Sequence, residues 1–98
     1  MTKTELIEKL SGATQMPVDK VSAVVNGTFD TIKREVKKGG TVQIHGFGAF
    51  EAKERSERQG RNPQTGEAII IAAHKVPYFR AFKEFKELVN HVDWRRGN

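Results

Sequence analysis

The chain has 98 residues, 37% of them hydrophobic, and a formal charge of +5 from 17 Lys and Arg against 12 Asp and Glu. This length suits one small domain with a limited core of its own, so we expect dimerisation. The absence of cysteine excludes disulfides and thiolate metal ligands and is compatible with a reducing cytosol. The basic charge favours a nucleic acid as partner, although a membrane surface or an acidic protein would attract it too.

The first residues, Met1 to Leu6, lack the apolar run of a signal peptide. The longest apolar run, from Ala68 to Ala73, is too short to cross a bilayer. We therefore expect a soluble, intracellular protein.

Two helices are predicted before residue 40. Thr2 and Glu5 have the spacing of a capping box, and apolar residues then recur at helical intervals until Ser11 and Gly12 interrupt them, which predicts a short first helix. Pro17 opens a longer helix that the glycines at 39 and 40 should end. Because this helix runs about five turns and carries a broad apolar stripe, we interpret it as a packing helix and not as a groove-reading one. The stripe consists of Val18, Val21, Val25, Phe29, Ile32 and Val36.

After the glycines, the pattern changes to period two. Val42 and Ile44 alternate with polar residues, residues 46–48 form a tight turn, and Phe50 lies on a second strand. Residues 53–66 contain no large hydrophobic side chain, so this segment cannot be buried. We expect it to leave the body as a two-stranded arm that returns through residues 68–75, and apolar residues resume at Val76.

The tip of this arm reads Gly60 to Gly66. Asn62 suits the first position of a type I turn, Pro63 presets the backbone of the second, and Gly66 can adopt the left-handed conformation that lets the chain return. A proline ring is apolar, has no N–H to desolvate and loses no rotamer entropy on burial, so it makes an effective wedge between stacked bases. Because arginines flank it, we predict that its target is DNA.

A last helix is predicted from about Ala81, because Phe82, Phe85, Val89 and Val92 share a helical face. Residues 94–98, which contain Trp94, Arg95 and Arg96, form a tail.

His45, His74 and His91 are scattered without ligand spacing, so we assign them structural or surface roles and predict no metal, no cofactor and no catalytic site.

Four blocks in this order resemble the bacterial HU and integration host factor family of DNA-bending, histone-like proteins, HU most of all. They are residues 3–7 (KTELI), 46–50 (GFGAF), 60–66 (GRNPQTG) and 76–79 (VPYF). The resemblance covers nearly the whole chain. It implies an intertwined dimer with a helical base, a β-saddle and two arms that enter the minor groove of double-stranded DNA, where each tip proline wedges into a base step.

The resemblance also assigns residues. Pro63 takes the intercalating position with Arg61 and Asn62 beside it, whereas Lys3, Lys83 and Lys86 match positions that grip phosphates along the body. The full set implied for DNA binding is Lys3, Gly46 through its backbone, Lys53, Arg55, Arg58, Arg61, Asn62, Pro63, Gln64, Lys75, Arg80, Lys83 and Lys86. The set implied for the dimer core is Phe29, Phe47, Phe50 and Phe79.

The chain departs from the family at three places. Phe82 stands where the family usually has glycine, and Phe85 stands where it has leucine. We therefore expect larger side chains to pack at the last helix than in the family. The chain continues past the usual family end. Three glutamates that alternate with the basic residues lower the net charge of the arm; they are Glu51, Glu54 and Glu57.

We therefore predict an α+β fold with two N-terminal helices, a three-stranded antiparallel sheet with a long protruding β-hairpin arm, and a C-terminal helix. The single domain divides into a helical base (1–40), a saddle (41–80) with the arm at about 53–75, a last helix (81–93) and a tail (94–98). The predicted function is non-sequence-specific or weakly selective bending and compaction of DNA in the bacterial or phage-like nucleoid. The alternatives are a sequence-specific bending factor, a heterodimer with a paralogue, a structural dimer whose main partner is a protein, and binding to RNA.

Overall fold

The structure, a computed structural model, describes residues 1–90 and has the predicted α+β composition. The predictions for His91, Val92 and the tail with Trp94, Arg95 and Arg96 lie outside the described residues. No helix within residues 1–90 is long and apolar enough to cross a membrane. In chain order the elements are α1 (Lys3–Thr14), α2 (Val18–Lys37), β1 (Val42–Ile44), β2 (Gly48–Arg55), β3 (Arg58–Arg61), β4 (Ala68–Ile71), β5 (His74–Ala81) and α3 (Lys83–Val89).

The capping box at the start of α1 is confirmed. The Glu5 N–H donates to Thr2 Oγ1 at 3.2 Å, and the Thr2 N–H donates to Glu5 Oε1 at 2.8 Å. The predicted end at Ser11 and Gly12 is wrong, because α1 continues to Thr14 and ends where Gln15 turns left-handed with φ 62°. One glycine lowers helix stability by only about 1 kcal/mol, which the continued hydrogen bonding of the helix offsets.

The first compact unit, Met1–Arg34, has a small apolar core. Ile7 of α1 packs with Val21 and Val25 of α2, and Leu10 lies against them half-buried. The predicted stripe on α2 is therefore only partly covered, since Phe29 remains 40% exposed. The prediction that Pro17 opens α2 is confirmed, because the helix begins at Val18 and the Pro17 carbonyl accepts hydrogen bonds from its first turn.

The second unit begins at Glu35 and contains the strands. Strands β1, β2 and β5 form a three-stranded antiparallel sheet, and β3 pairs with β4 in a separate two-stranded ladder. β2 and β5 pair from Gly48 opposite Ala81 to Arg55 opposite His74. The second ladder begins with Arg58 opposite Ile71, so residues 56–57 and 72–73 lie unpaired between the two ladders without a change of register. The predicted arm thus consists of the outer end of the first ladder and the whole of the second.

Four phenylalanines pack on one side of the sheet. The Phe47 ring lies 5.0 Å from Phe79 and 5.0 Å from Phe85, and Phe50 lies 4.9 Å from Phe79, measured between centroids. Tilted and offset arrangements of this kind favour the quadrupoles of the rings. Because Phe47 is nevertheless 37% exposed, the cluster leaves apolar surface uncovered in the single chain.

Helix α3 differs from its prediction in its first residue and in its apolar face. Phe82 is the N-cap, with extended backbone, and the helix begins at Lys83. Of the residues on the predicted apolar face, Phe85 joins the phenylalanine cluster and Val89 is 70% exposed. The Phe82 ring lies against the Arg80 guanidinium. The helical period cannot locate Phe82, because an N-cap residue does not have helical backbone angles.

Gly48 is required by the close approach of β2 and β5. A Cβ on Gly48 would lie 2.5 Å from the Phe79 ring and 2.7 Å from the Arg80 carbonyl oxygen. Neither neighbour can retreat easily, since one belongs to the aromatic cluster and the other to the backbone of a paired strand.

We expect Gly48→Ala to lower the free energy of unfolding by about 1 to 3 kcal/mol through overpacking. Gly12→Ala is the matched control, because nothing lies within 4 Å of the added Cβ and the residue is inside α1. That control should stabilise the protein by about 0.5 to 1 kcal/mol. Urea unfolding followed by circular dichroism measures both, and equal effects of the two substitutions would contradict the packing argument.

Candidate nucleic-acid interface

The tip of the arm is a tightly hydrogen-bonded loop between β3 and β4. The Gly66 N–H donates to the Asn62 carbonyl at 2.7 Å, and Asn62 Oδ1 accepts from the Gln64 N–H at 2.8 Å. Gly66 adopts φ 76°, as predicted. The closing bond spans four residues instead of the three of the predicted type I turn. The extra residue is accommodated because the Asn62 side chain satisfies the N–H groups inside the loop.

Pro63 lies exposed at this tip, between residues whose backbones are fixed. On the neighbouring strand, Arg61 Nη1 donates to the Gly66 carbonyl at 2.8 Å, which directs the guanidinium along the loop. Gln64 is also exposed. The four tip residues predicted to meet DNA, Arg61, Asn62, Pro63 and Gln64, therefore belong to one ordered turn.

The five cations of the arm are exposed, and none has an acidic partner among residues 1–90. Lys53, Arg55, Arg58, Arg61 and Lys75 form no ion pair with any residue between 1 and 90. The nearby glutamates therefore lower the net charge of the arm, but in this part of the chain they form no ion pairs with its cations. Unpaired cations can release counterions from DNA without first losing an internal partner.

The register of β2 and β5 sorts side chains onto two faces, because successive residues of a strand point to opposite sides. One face carries Phe50 and Phe79, which lie opposite each other. The other face carries Lys53, Arg55 and Arg80, and we call it the cationic face. Lys75 lies opposite Glu54 in the strand register, on the same face as the phenylalanines. The register therefore does not bring every predicted cation to one face.

A cleft of about 630 Å³ lies where the two ladders meet. Its lining includes Arg55 from the first ladder, Arg58 from the second, and His74. His74 Nδ1 lies 3.0 Å from the Ala72 carbonyl oxygen, so the ring bonds back to the unpaired segment. The sequence assigned His74 only a structural or surface role, and its position opposite Arg55 follows from the register alone.

The start of α3 is tied to the turn between β1 and β2. The Phe82 N–H donates to the Phe47 carbonyl at 2.9 Å, which brings Lys83 and Lys86 to the same end of the sheet as Gly46. Both lysines are exposed, and Lys83 makes one long contact of 3.9 Å with Glu87. Exposed pairs of this kind contribute about 0 to 1 kcal/mol, so the contact leaves Lys83 available to a phosphate.

Lys3, at the start of α1, is held by a neutral partner. Its Nζ donates to Asn26 Oδ1 at 2.7 Å, and Asn26 in turn donates to Ser22 Oγ at 3.2 Å. An amide oxygen orients the ammonium group without cancelling its charge. Lys3 is therefore an ordered cation on the first unit.

Two aromatic side chains beside the cationic face were missed as part of the site. Lys53 Nζ lies 4.3 Å from the centroid of the Tyr78 ring, and Arg80 Cζ lies 5.4 Å from that of Phe82. Arg80 Nη2 also lies 3.5 Å from Glu51 Oε1. The period-two pattern of β5 was the available signal, since it places Tyr78 and Arg80 on one face.

The predicted dimer-core residues divide between the two units. Phe47, Phe50 and Phe79 form one cluster in the second unit, and Phe29 belongs to α2 in the first.

Within the described residues, no group of three or more His, Cys, Asp or Glu side chains is arranged to hold a metal ion.

Comparison with known proteins identifies the chain's relatives. The family model described as "Bacterial DNA-binding protein" matches residues 1–90. DNA-binding protein HU-1 of Halalkalibacterium halodurans is 51% identical over 89 residues, which cover 91% of this chain and 99% of the relative. DNA-binding protein HU 1 of Bacillus subtilis is 47% identical over 89 residues, covering 91% and 97%.

A solved structure is also similar. The Anabaena HU–DNA cocrystal structure has a TM-score of 0.87 and 39% sequence identity, and the match covers 91% of this chain and 97% of that one. The fold, the ordered arm tip and these similarities over almost the full length agree, and the chain belongs to the bacterial DNA-binding protein family.

Proposed function

We propose that this chain is an architectural protein that binds and bends double-stranded DNA as a dimer, with weak or no sequence selectivity. The observation that carries the proposal is the exposed Pro63 on an ordered, basic arm tip in a chain 51% identical to a DNA-binding protein HU. A neighbour of the same fold was crystallised with DNA. The relatives are bacterial proteins, and we place this chain in the bacterial nucleoid on the same grounds.

The mechanism begins with the cations. Lys53, Arg55, Arg58 and Arg80 of the arm and sheet, together with lysines of the body, neutralise phosphates and release counterions. Arginine side chains inserted into a minor groove favour sites where the groove is narrow or the duplex deforms easily. In this proposal the arms lie in the minor groove, and the remaining predicted contacts, other than the Pro63 wedge, come from Lys3, Gly46, Arg61, Asn62, Gln64, Lys75, Lys83 and Lys86.

Bending follows from Pro63. An apolar wedge between base steps costs a few kcal/mol of unstacking and kinks the duplex by roughly 20° to 90°. Contacts between the bent DNA and the lysines of the body offset that cost. Two arms are needed for the DNA to be held on both sides, so the mechanism requires two copies of the chain.

The dimer is supported by apolar side chains that one chain leaves uncovered. Phe29 is 40% exposed, Phe47 is 37% exposed and Val24 is 62% exposed. Exposure of such residues to water is unfavourable by about 25 cal/mol per Å² of apolar surface. We assign this surface to a second copy, with Phe29, Phe47, Phe50 and Phe79 in the shared core of a single intertwined HU-like domain over residues 1–98.

Dimerisation predicts that stability depends on protein concentration. Sedimentation equilibrium should give twice the chain mass of 11.0 kDa, and the urea midpoint should rise with concentration. Phe29→Ala should weaken the dimer by about 3 kcal/mol, whereas Thr31→Ala, on an exposed position of the same helix, should not. A monomer at micromolar concentration with a concentration-independent midpoint would contradict the dimer.

Pro63→Ala tests the wedge. The change should reduce DNA bending, measured by end-to-end energy transfer on a short duplex, more than it reduces affinity, because the cations remain. Pro17→Ala, which removes a proline before α2, should leave bending unchanged. Unchanged bending in Pro63→Ala would remove intercalation from the mechanism, and failure of the unaltered protein to bind any duplex at low salt would remove the proposed function.

The lysines of α3 are tested by the salt dependence of affinity. For Lys83→Ala with Lys86→Ala, affinity should fall on all sequences, and the log–log salt slope should flatten by about 0.9 for each phosphate that is no longer neutralised. Lys9→Ala with Lys20→Ala removes the same charge from exposed positions outside the predicted interface and serves as the control. If both double variants change the slope equally, Lys83 and Lys86 do not contact phosphates individually.

A further inference from the structure

Among the described residues, Arg80 is the one cation of the predicted DNA-binding set that contacts both a carboxylate and an aromatic ring. Its Nη2 lies 3.5 Å from Glu51 Oε1 on the neighbouring strand, and its Cζ lies 5.4 Å from the centroid of the Phe82 ring. The side chain nevertheless remains 48% exposed. Because a guanidinium carries five N–H donors, one carboxylate contact leaves most of them open to a ligand.

Phe82 is fixed by its backbone. Its N–H donates to the Phe47 carbonyl at 2.9 Å, and its carbonyl accepts from the N–H groups of Phe85 at 3.1 Å and Lys86 at 3.0 Å. These bonds set the start of α3. The Phe82 backbone therefore has a defined position just after β5, and its ring lies over Arg80, two residues earlier in the chain.

The Phe82 ring has no place in the phenylalanine cluster. The aromatic contacts among the described residues join Phe47, Phe50, Phe79 and Phe85, and the ring of Phe82 instead lies against Arg80. The half-buried Phe82 ring lies over a cation and pairs with none of these four rings, so it can order that cation.

The two partners of Arg80 act differently on its charge. Glu51 attracts the guanidinium but opposes its charge, which weakens its attraction for a phosphate. An aromatic face attracts a cation through the ring quadrupole and leaves its net charge intact. The ring therefore orders the guanidinium while keeping it able to bind an anion.

We infer that Phe82 is a positioning residue that holds the Arg80 guanidinium ready for a DNA phosphate. The inference rests on the proposed function and deepens it. A side chain that is ordered before binding loses less rotamer entropy when it binds, so affinity rises without a new contact to the ligand. Tyr78 stands in the same relation to Lys53, with the ammonium 4.3 Å from the ring centroid, and repeats the arrangement on the same face.

The first test uses the free protein. In the full-length chain, ¹⁵N relaxation of the Arg80 Nε–H should report a lower order parameter in Phe82→Leu than in the unaltered protein. Phe82→Tyr, which keeps the aromatic face, should give the same order parameter as the unaltered protein. An unchanged order parameter in a folded Phe82→Leu protein would overturn the inference. If Phe82→Leu does not fold, Phe82→Met, with a similar side-chain volume, replaces it.

The second test uses a short nicked duplex as the probe, with affinity measured across a range of KCl concentrations. Phe82→Leu should weaken binding about two- to five-fold, the range expected for an exposed cation–π contact. Its salt slope should flatten, and Phe82→Tyr should behave as the unaltered protein does.

The effect must pass through Arg80. In an Arg80→Gln background, Phe82→Leu should have no further effect on affinity or on the salt slope. An equal loss in both backgrounds would overturn the inference, because Phe82 would then act on DNA or on the fold directly. Absence of duplex binding by the unaltered protein at low salt is a separate outcome, and it would refute the proposed function itself.

Discussion

The antiparallel pairing of β2 with β5 determines which face of the sheet carries the aromatic side chains and which carries the cations. Each step along the pair moves the next two side chains to the opposite face, so Phe50 and Phe79 share one side while Lys53 and Arg80 share the other. A slip of one residue would send cations into the aromatic cluster and phenylalanines into water. Gly48 allows the strands to meet at the Phe79 ring, and the same register continues into the β3–β4 ladder.

Both units leave apolar side chains exposed in the single chain. The apolar core of the first unit is limited to Ile7, Val21 and Val25 with Leu10, and the second unit relies on an aromatic cluster that is open to water. A small chain buries a smaller fraction of its surface than a large one, and in our proposal a second copy covers the apolar side chains that one chain leaves exposed. The same association that completes the core supplies the second arm.

The arm illustrates how order is obtained without a hydrophobic core. Asn62, Arg61 and Gly66 hold the tip through side-chain and backbone hydrogen bonds, so Pro63 is presented on a loop of defined geometry. An isolated hairpin is marginally stable in water, and one rich in cations gains most from an anionic ligand. The Phe82 and Tyr78 rings extend this preparation to Arg80 and Lys53 on the sheet.

Local chemistry allowed much of the fold to be predicted from sequence. The capping box of Thr2 and Glu5, the period-two strands and the left-handed Gly66 depend on neighbours within a few residues, and these predictions are confirmed. The turn predicted at residues 46–48 lies one residue earlier, at 45–47, because Gly48 already belongs to β2 and pairs with Ile44 of β1. The assignment of individual residues to DNA contact came from the resemblance and stays a prediction. The end of α1 was placed too early because one glycine does not stop a helix whose other residues favour it.

The sequence by itself determined the order of helices and strands, the position of the arm and the identity of its tip, since short-range hydrogen bonding and side-chain periodicity specify these. Only the tertiary structure decided that Arg80 lies between Glu51 and Phe82, that Phe82 stays outside the aromatic cluster, and that His74 faces Arg55. The position of Phe82 follows from the backbone hydrogen bond that ties the start of α3 to Phe47. The Glu51–Arg80 and Arg55–His74 pairs join residues from different strands. They depend on the register between distant segments, which no local pattern specifies.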